Sequence, residues 1–471
     1  MINNSKETVL DAPVDLSKSQ KFSAVILGAF LMGALWRFRG ENGWGSSWGL
    51  LTVGVIYLMF IFAIYGFRHK VNFLLFSVTA LSFMLTTPGW GTLNSQITGV
   101  LTSGVDNGAG MIQVFINPFS GVFIMLCLGF GLASVFAFMV GRFFSERHYS
   151  FKDLFVVLLV FFAVEYAARL TISHLILNLI QPQAGELFAQ GLQIAGIHDT
   201  PWHFYFTHIF DKNVAKTIHG GRNYTTSADM IGNAIAAFVV WLIMRFGLKD
   251  KTGGRIMLGI CAAFAFAITF ADLSLFFENG GYRMEHSYDL LFKLSGWGMW
   301  EYFTGFFAGG LIMLIFVRQP FDKLIASKDV EDTIFPKSNT KVYGILNFAA
   351  TFVVALSVTL IRPFAGRYEG SSAYIPIYIA LSVFFLGLSV IVILKKGVNL
   401  ESVNFKKFCV YAMPVYLGAS AFIYLFAGKD GNQNFRSIGA VANILVMTSC
   451  AVVAVLYLII FKKGDIRRIK K

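Results

Sequence analysis

Charge is scarce in this chain. Only 14% of its 471 residues are charged while 56% are hydrophobic, and mean hydropathy is +0.64. Ordinary globular domains carry about a quarter charged residues, so a soluble domain is excluded. Cysteine is scarce too: Cys127, Cys261, Cys409 and Cys450 all fall inside apolar runs, with no C-x-x-C spacing. They read as small hydrophobes, and neither a disulfide framework nor a thiolate metal site is expected. A P-loop G-x-x-x-x-G-K-[ST] is missing, which argues against an intrinsic ATPase of that type, and H-E-x-x-H is missing, which removes the commonest zinc-hydrolase argument. No cofactor and no metal is expected. The first twenty residues are polar and mixed in charge, so a cleaved signal peptide is not expected and the first apolar run reads as a retained anchor.

What is present is length of apolar sequence. About 20 apolar residues cross roughly 30 Å of hydrocarbon, and twelve stretches qualify, near 22–38, 49–67, 71–87, 117–141, 153–180, 228–246, 256–278, 294–317, 343–361, 373–394, 406–427 and 437–461. They are continuously apolar, as spanning helices are, and do not alternate as barrel strands do. The expected fold is an all-α polytopic membrane protein of about twelve transmembrane helices. Of the 39 Lys and Arg residues, 27 fall on the side of both termini, 11 on the other side, and Arg169 within a span. By the positive-inside rule both termini are cytoplasmic, as in a bacterial inner membrane protein. The same distribution accounts for the net charge of +13, so nucleic acid is not an expected partner and the lipid bilayer is.

The chain divides into an N-terminal segment 1–21, a first six-helix half 22–246 with a long outer loop 181–227, a second half 247–461 and a basic tail 462–471. A faint duplication supports the halves. GGRNYTTSADMIGNAIAAFVVWLI aligns with DGNQNFRSIGAVANILVMTSCAVV, and GWGSSWG with GWGMWEYFTG, each entering a span from outside six spans apart.

Seven of the eight tryptophans, all but Trp241, sit at the outer end of the spans. An interfacial aromatic belt decorates both membrane surfaces, so one-sided enrichment points to a recognition site. Five ionisable groups lie within spans, where each costs roughly 2.5–3.5 kcal/mol at the bilayer centre. Glu165 and Arg169, four apart, share a helix face; His174 is expected to extend their stripe outward on the same helix. Asp272 and Glu301 lie on neighbouring spans, each about 9–10 Å below the outer surface at 1.5 Å per residue. Two carboxylates at one depth suit exchange of a coupling proton or sodium ion. Arg37, Arg39 and Glu41 cap the first span, and Trp297 and Trp300 open the eighth. With Glu165, Arg169 and His174 they form the candidate substrate site, the guanidinium forks for an acidic group and the indoles for an apolar sugar face. Pairs of histidines such as His203 and His208 lack helical metal spacing, and PWHFYFTHIF reads as an interfacial aromatic helix or lid.

Two functions fit. One is a secondary transporter of a polar, sugar-like or anionic solute, favoured by the span number, the two halves and interruptions near Pro88–Gly91 and Gly296–Gly298. The other is a membrane enzyme acting at the outer face on a lipid-linked or glycan substrate, favoured by the crowding of Trp, Arg, His and acids on one face. The loop YGFRHKVNF after the second span lacks the Gly-Asp-Arg signature of major facilitator transporters.

The orientation is testable by single-cysteine labelling in intact cells. Variants at Ser46 and Ser287 should react with an impermeant reagent and one at Ser327 should not; the reverse pattern inverts the topology.

Overall fold

A computed structural model describes residues 16–41, 47–65, 78–80, 82–85, 97, 99–102, 113–145, 147, 149–275, 297–319, 445, 448–449 and 451–453. Spans nine to eleven, most of spans three and twelve, most of the second copy of the duplication, and the side chains of Arg39, Glu41 and Trp297 lie outside them.

The described chain is mostly helical. Numbering every helix, short ones included, α1 is Lys18–Glu41, α2 Ser47–Tyr65, α3 Pro118–Leu132, α4 Ser134–Phe143, α5 Phe151–Leu170 and α6 Ile172–Ile180. There follow α7 Pro182–Ile194, α8 Pro201–Thr207, α9 Lys212–Lys216, α10 Gly221–Leu242, α11 Lys251–Asp272 and α12 Trp297–Arg318. Among the described residues the only strands are β1 Val100–Thr102 and β2 Gln113–Phe115, an antiparallel ribbon within the expected outer segment 88–116. Four of the described helices are long and apolar enough to cross a membrane: Lys18–Arg37, Gly221–Gly247, Lys251–Asp272 and Gly298–Arg318. If each of two bent pairs, α3 with α4 and α5 with α6, is one span, the number is six. All six coincide with expected spans, and such helices are compatible with an integral membrane protein.

Close backbone approach holds the bundle together. Lipid tails are as apolar as leucine, so helices in a bilayer associate through packing at small residues. On α12, a Cβ added at Gly305 would strike the Met32 carbonyl oxygen and come within 2.6 Å of the Trp36 Cβ; Gly309 meets Met32 and the Gly28 backbone. Down α12 the partners climb back along α1, from Arg37 at Glu301 through Trp36 and Met32 at Gly305 to Ala29 at Gly310. The two helices are therefore antiparallel. The other side of α12 carries α11, with Phe266 and Phe270 against Phe307 and Gly259 against Ile315. Tyr57 fastens α2 to α12 by donating to the Gly309 carbonyl at 2.5 Å. Trp36 lies fully buried among Phe83 and Phe264, and Phe83 stacks on Phe136 with ring centroids 4.3 Å apart.

Both bent pairs break for local reasons. Between α3 and α4 the axis turns 45° at Ala133, beside Gly131 and Ser134. Between α5 and α6 it turns 49° at Thr171, whose hydroxyl donates to the Ala167 carbonyl at 2.6 Å. Such back-bonding to residue i−4 competes with the helix ladder and bends it. The Leu170 carbonyl, freed by the break, accepts from the Trp202 indole N–H of α8 at 2.8 Å.

Gly305→Ala should cost about 1–3 kcal/mol, as overpacking does. Gly310→Ala, whose new methyl would have Ala29 Cβ at 3.2 Å as its nearest contact, should cost clearly less than Gly305→Ala. Thermal unfolding of the two variants in one detergent checks the contrast.

Candidate functional site

The sequence-selected residues fall into two groups in two helix interfaces. The first lies where α1, α11 and α12 meet. Arg37 Nη1 donates to Glu301 Oε2 at 2.8 Å across a pair whose side chains are 7% and 13% exposed. One residue earlier on α12, the Trp300 indole N–H faces the Asp272 carboxyl of α11, outside good hydrogen-bonding geometry. Asp272 is fully buried, and among the described residues neither of its oxygens accepts a hydrogen bond and no basic side chain pairs with it. Expected at one depth on neighbouring spans, Asp272 and Glu301 thus have different neighbours: Glu301 has a guanidinium and Asp272 faces an indole.

The second group lies between α5 and α10, with α8 over it. Arg169 pairs with Glu165 one turn back on α5, donates to Asn233 Oδ1 at 2.8 Å, and has Asp229 Oδ1 3.7 Å from its Nε. Its guanidinium also sits 5.5 Å from the Tyr166 ring centre. Tyr205 of α8 donates to Asp229 Oδ1 at 2.5 Å. Burial, with Asp229 against the hydroxyl, holds the Tyr205 phenol above its ordinary range, so it remains a donor. Gly232 admits this contact: a Cβ there would lie 2.6 Å from Arg169 Cγ.

His174 lies beyond the break at Thr171, on α6. There it meets α10 and α8, its Nδ1 2.9 Å from the Tyr224 hydroxyl and its ring edge-on to Tyr205 at 4.7 Å. His174, Tyr205 of α8 and Tyr224 of α10 therefore continue the polar group beyond Arg169 and Asp229. The start of α10 is set by Gly220, whose φ of 72° is left-handed and where a Cβ would lie 2.6 Å from the Phe188 nitrogen.

The expected aromatic lid is a helix, α8, N-capped by Thr200. Outside the bundle at its start, His203 Nδ1 lies 2.9 Å from Asp199, and that hydrogen bond holds the Asp199 carboxyl below its ordinary range. Among the described residues no group of three or more His, Cys, Asp or Glu is placed to hold a metal.

Asp229, Asn233, Tyr205 and Tyr224 were not selected from sequence. Asp229 and Asn233 did carry a signal: they are polar at i and i+4 inside an apolar run, the same spacing as Glu165 and Arg169. The chain matches no protein family, no curated protein and no solved structure.

Arg169→Ala would leave Glu165 and Asp229 facing each other without their shared cation, and should cost about 3–5 kcal/mol, as removal of one partner from a buried ion pair does. Replacing both carboxyls as well, in Glu165→Gln with Asp229→Asn, should recover part of the loss. Denaturation of single and triple variants in detergent measures both.

Proposed function

We propose that the chain is a secondary transporter that moves a polar, sugar-like or anionic solute across the bacterial cytoplasmic membrane, both termini lying inside, with Asp272 holding the coupling ion. The observation that carries this reading is the carboxyl of Asp272, fully buried in a long apolar helix with no basic partner among the described residues. A carboxylate in hydrocarbon needs a counter-charge, and without a basic side chain that charge is a proton or a sodium ion. Either can leave when the site opens, which is what coupling requires.

The neighbouring pair supplies a route from substrate to ion. An acidic group arriving at Arg37 competes with Glu301 for the guanidinium fork. Glu301 released from Arg37 is then a second carboxyl one residue from the Trp300 that faces Asp272, and two carboxyls that approach one another resist joint ionisation. Binding of solute and uptake of a cation thereby favour each other. The interruptions in α3–α4 and α5–α6 belong to the same reading, since discontinuous helices line the sites of many transporters.

Protein reconstituted in liposomes and offered labelled hexoses, hexuronates and dicarboxylates should accumulate one class when a proton or sodium gradient is imposed. Asp272→Asn should abolish gradient-driven accumulation while Arg37→Ala weakens solute affinity. Should the purified protein instead modify a lipid-linked or glycan substrate with no gradient, and move no solute, the outer-face enzyme reading replaces this one.

A further inference from the structure

Three arginines are buried in the described bundle, and two are compensated: Arg37 by Glu301, and Arg169 by Glu165, Asp229 and Asn233. The third, Arg142 on α4, is 2% exposed, and among the described residues none of its Nε, Nη1 or Nη2 atoms has a hydrogen-bond partner. It lies at the end of the bundle remote from Asp272, because its neighbour Gly141 abuts the carbonyl of Gly253 near the start of α11.

Its surroundings are basic, and their one described acid is already committed. The guanidinium lies 5.9 Å from the centre of the Tyr149 ring. Tyr149 donates to Asp250 Oδ2 at 2.6 Å, and Asp250 Oδ1 caps α11 by accepting from the Gly253 N–H at 2.8 Å. Both oxygens of that carboxylate are therefore engaged away from Arg142. Arg147 lies over Tyr149 at 5.7 Å and donates to the Leu248 carbonyl. Arg245, Lys249 and Lys251 follow on the adjoining turn. A buried guanidinium with five unused N–H groups is costly, and the added positive field favours an anion over any other partner.

We propose that Arg142 is the anchor of an oxyanion-binding site at this end of the bundle, receiving a phosphate from a soluble anion or from a lipid headgroup. The planar fork fits two oxygens of such a group, which a single ammonium would not. Tyr149 fixes the fork's position by keeping its ring beside it and its hydroxyl on Asp250.

The test needs no gradient, so it stands or falls separately from transport. Lipid-stripped protein in neutral detergent is unfolded thermally while inorganic phosphate is titrated at constant ionic strength against chloride. A parallel series uses phosphatidylglycerol or phosphatidylcholine in mixed micelles. Saturating phosphate or phosphatidylglycerol should raise the Tm by roughly 2–4 °C. The rise should vanish in Arg142→Met, shrink in Arg142→Lys and survive in Arg245→Gln. A response to phosphate identifies a soluble oxyanion, and a response to phosphatidylglycerol alone identifies the headgroup. No rise in either series, or a rise undiminished in Arg142→Met or Arg142→Lys, overturns the site. So does a phosphate-insensitive wild type whose stability falls equally in Glu146→Gln and Arg142→Met, which would assign the guanidinium to the chain's own carboxylate four residues on.

Discussion

The requirement that every ionic group in a low-dielectric interior find a counter-charge governs the polar half of this bundle. Desolvating two charges costs about as much as their attraction returns, so a buried pair adds little net stability, while a broken one is expensive. Its effect is on register. Arg37 reaches Glu301 only if α1 and α12 run antiparallel with these residues level, and Arg169 reaches Asp229 and Asn233 only if α5 and α10 do the same. A slip of one turn on any of the four helices would strand a charge.

Glycine makes those registers attainable. At Gly305, Gly309 and Gly232 a methyl group would collide with the opposing helix, so backbones approach closely where the ion pairs need them to. The same economy of side chain occurs at Gly129 and Gly131, which bring α3 against Ala265 of α11 and Asn233 of α10. Because α3 touches both, it is one element common to the Asp272 group and the Arg169 group, and its packing links them.

The spans were legible because twenty apolar residues have few other destinies, and six of those expected coincide with helices or bent helix pairs long enough to cross a bilayer. The intrahelical pair was legible for a similar reason: Glu165 and Arg169 at i and i+4 meet on any helix. The pairing of Arg37 with Glu301 was not, because it spans 264 residues of sequence and depends on which helices pack. Nor was the break at Thr171. A threonine inside an apolar run ordinarily rides on the helix, and only the indole of Trp202, arriving from a later segment, makes an interruption there sustainable. The neighbours of His174 on α8 and α10 were hidden for the same reason, and Asp229 lay within a run whose apolar character dominated.

The contact between Trp202 and the Leu170 carbonyl also constrains how the chain is made. At the interruption α5 ends on a carbonyl with no helical partner, and the indole that satisfies it lies 32 residues downstream, beyond α6 and α7. Until that stretch has been synthesised and α8 has folded back, the threonine favours a bend whose freed carbonyl has nothing to accept from. The bend is therefore begun by a local residue and completed only in the assembled fold.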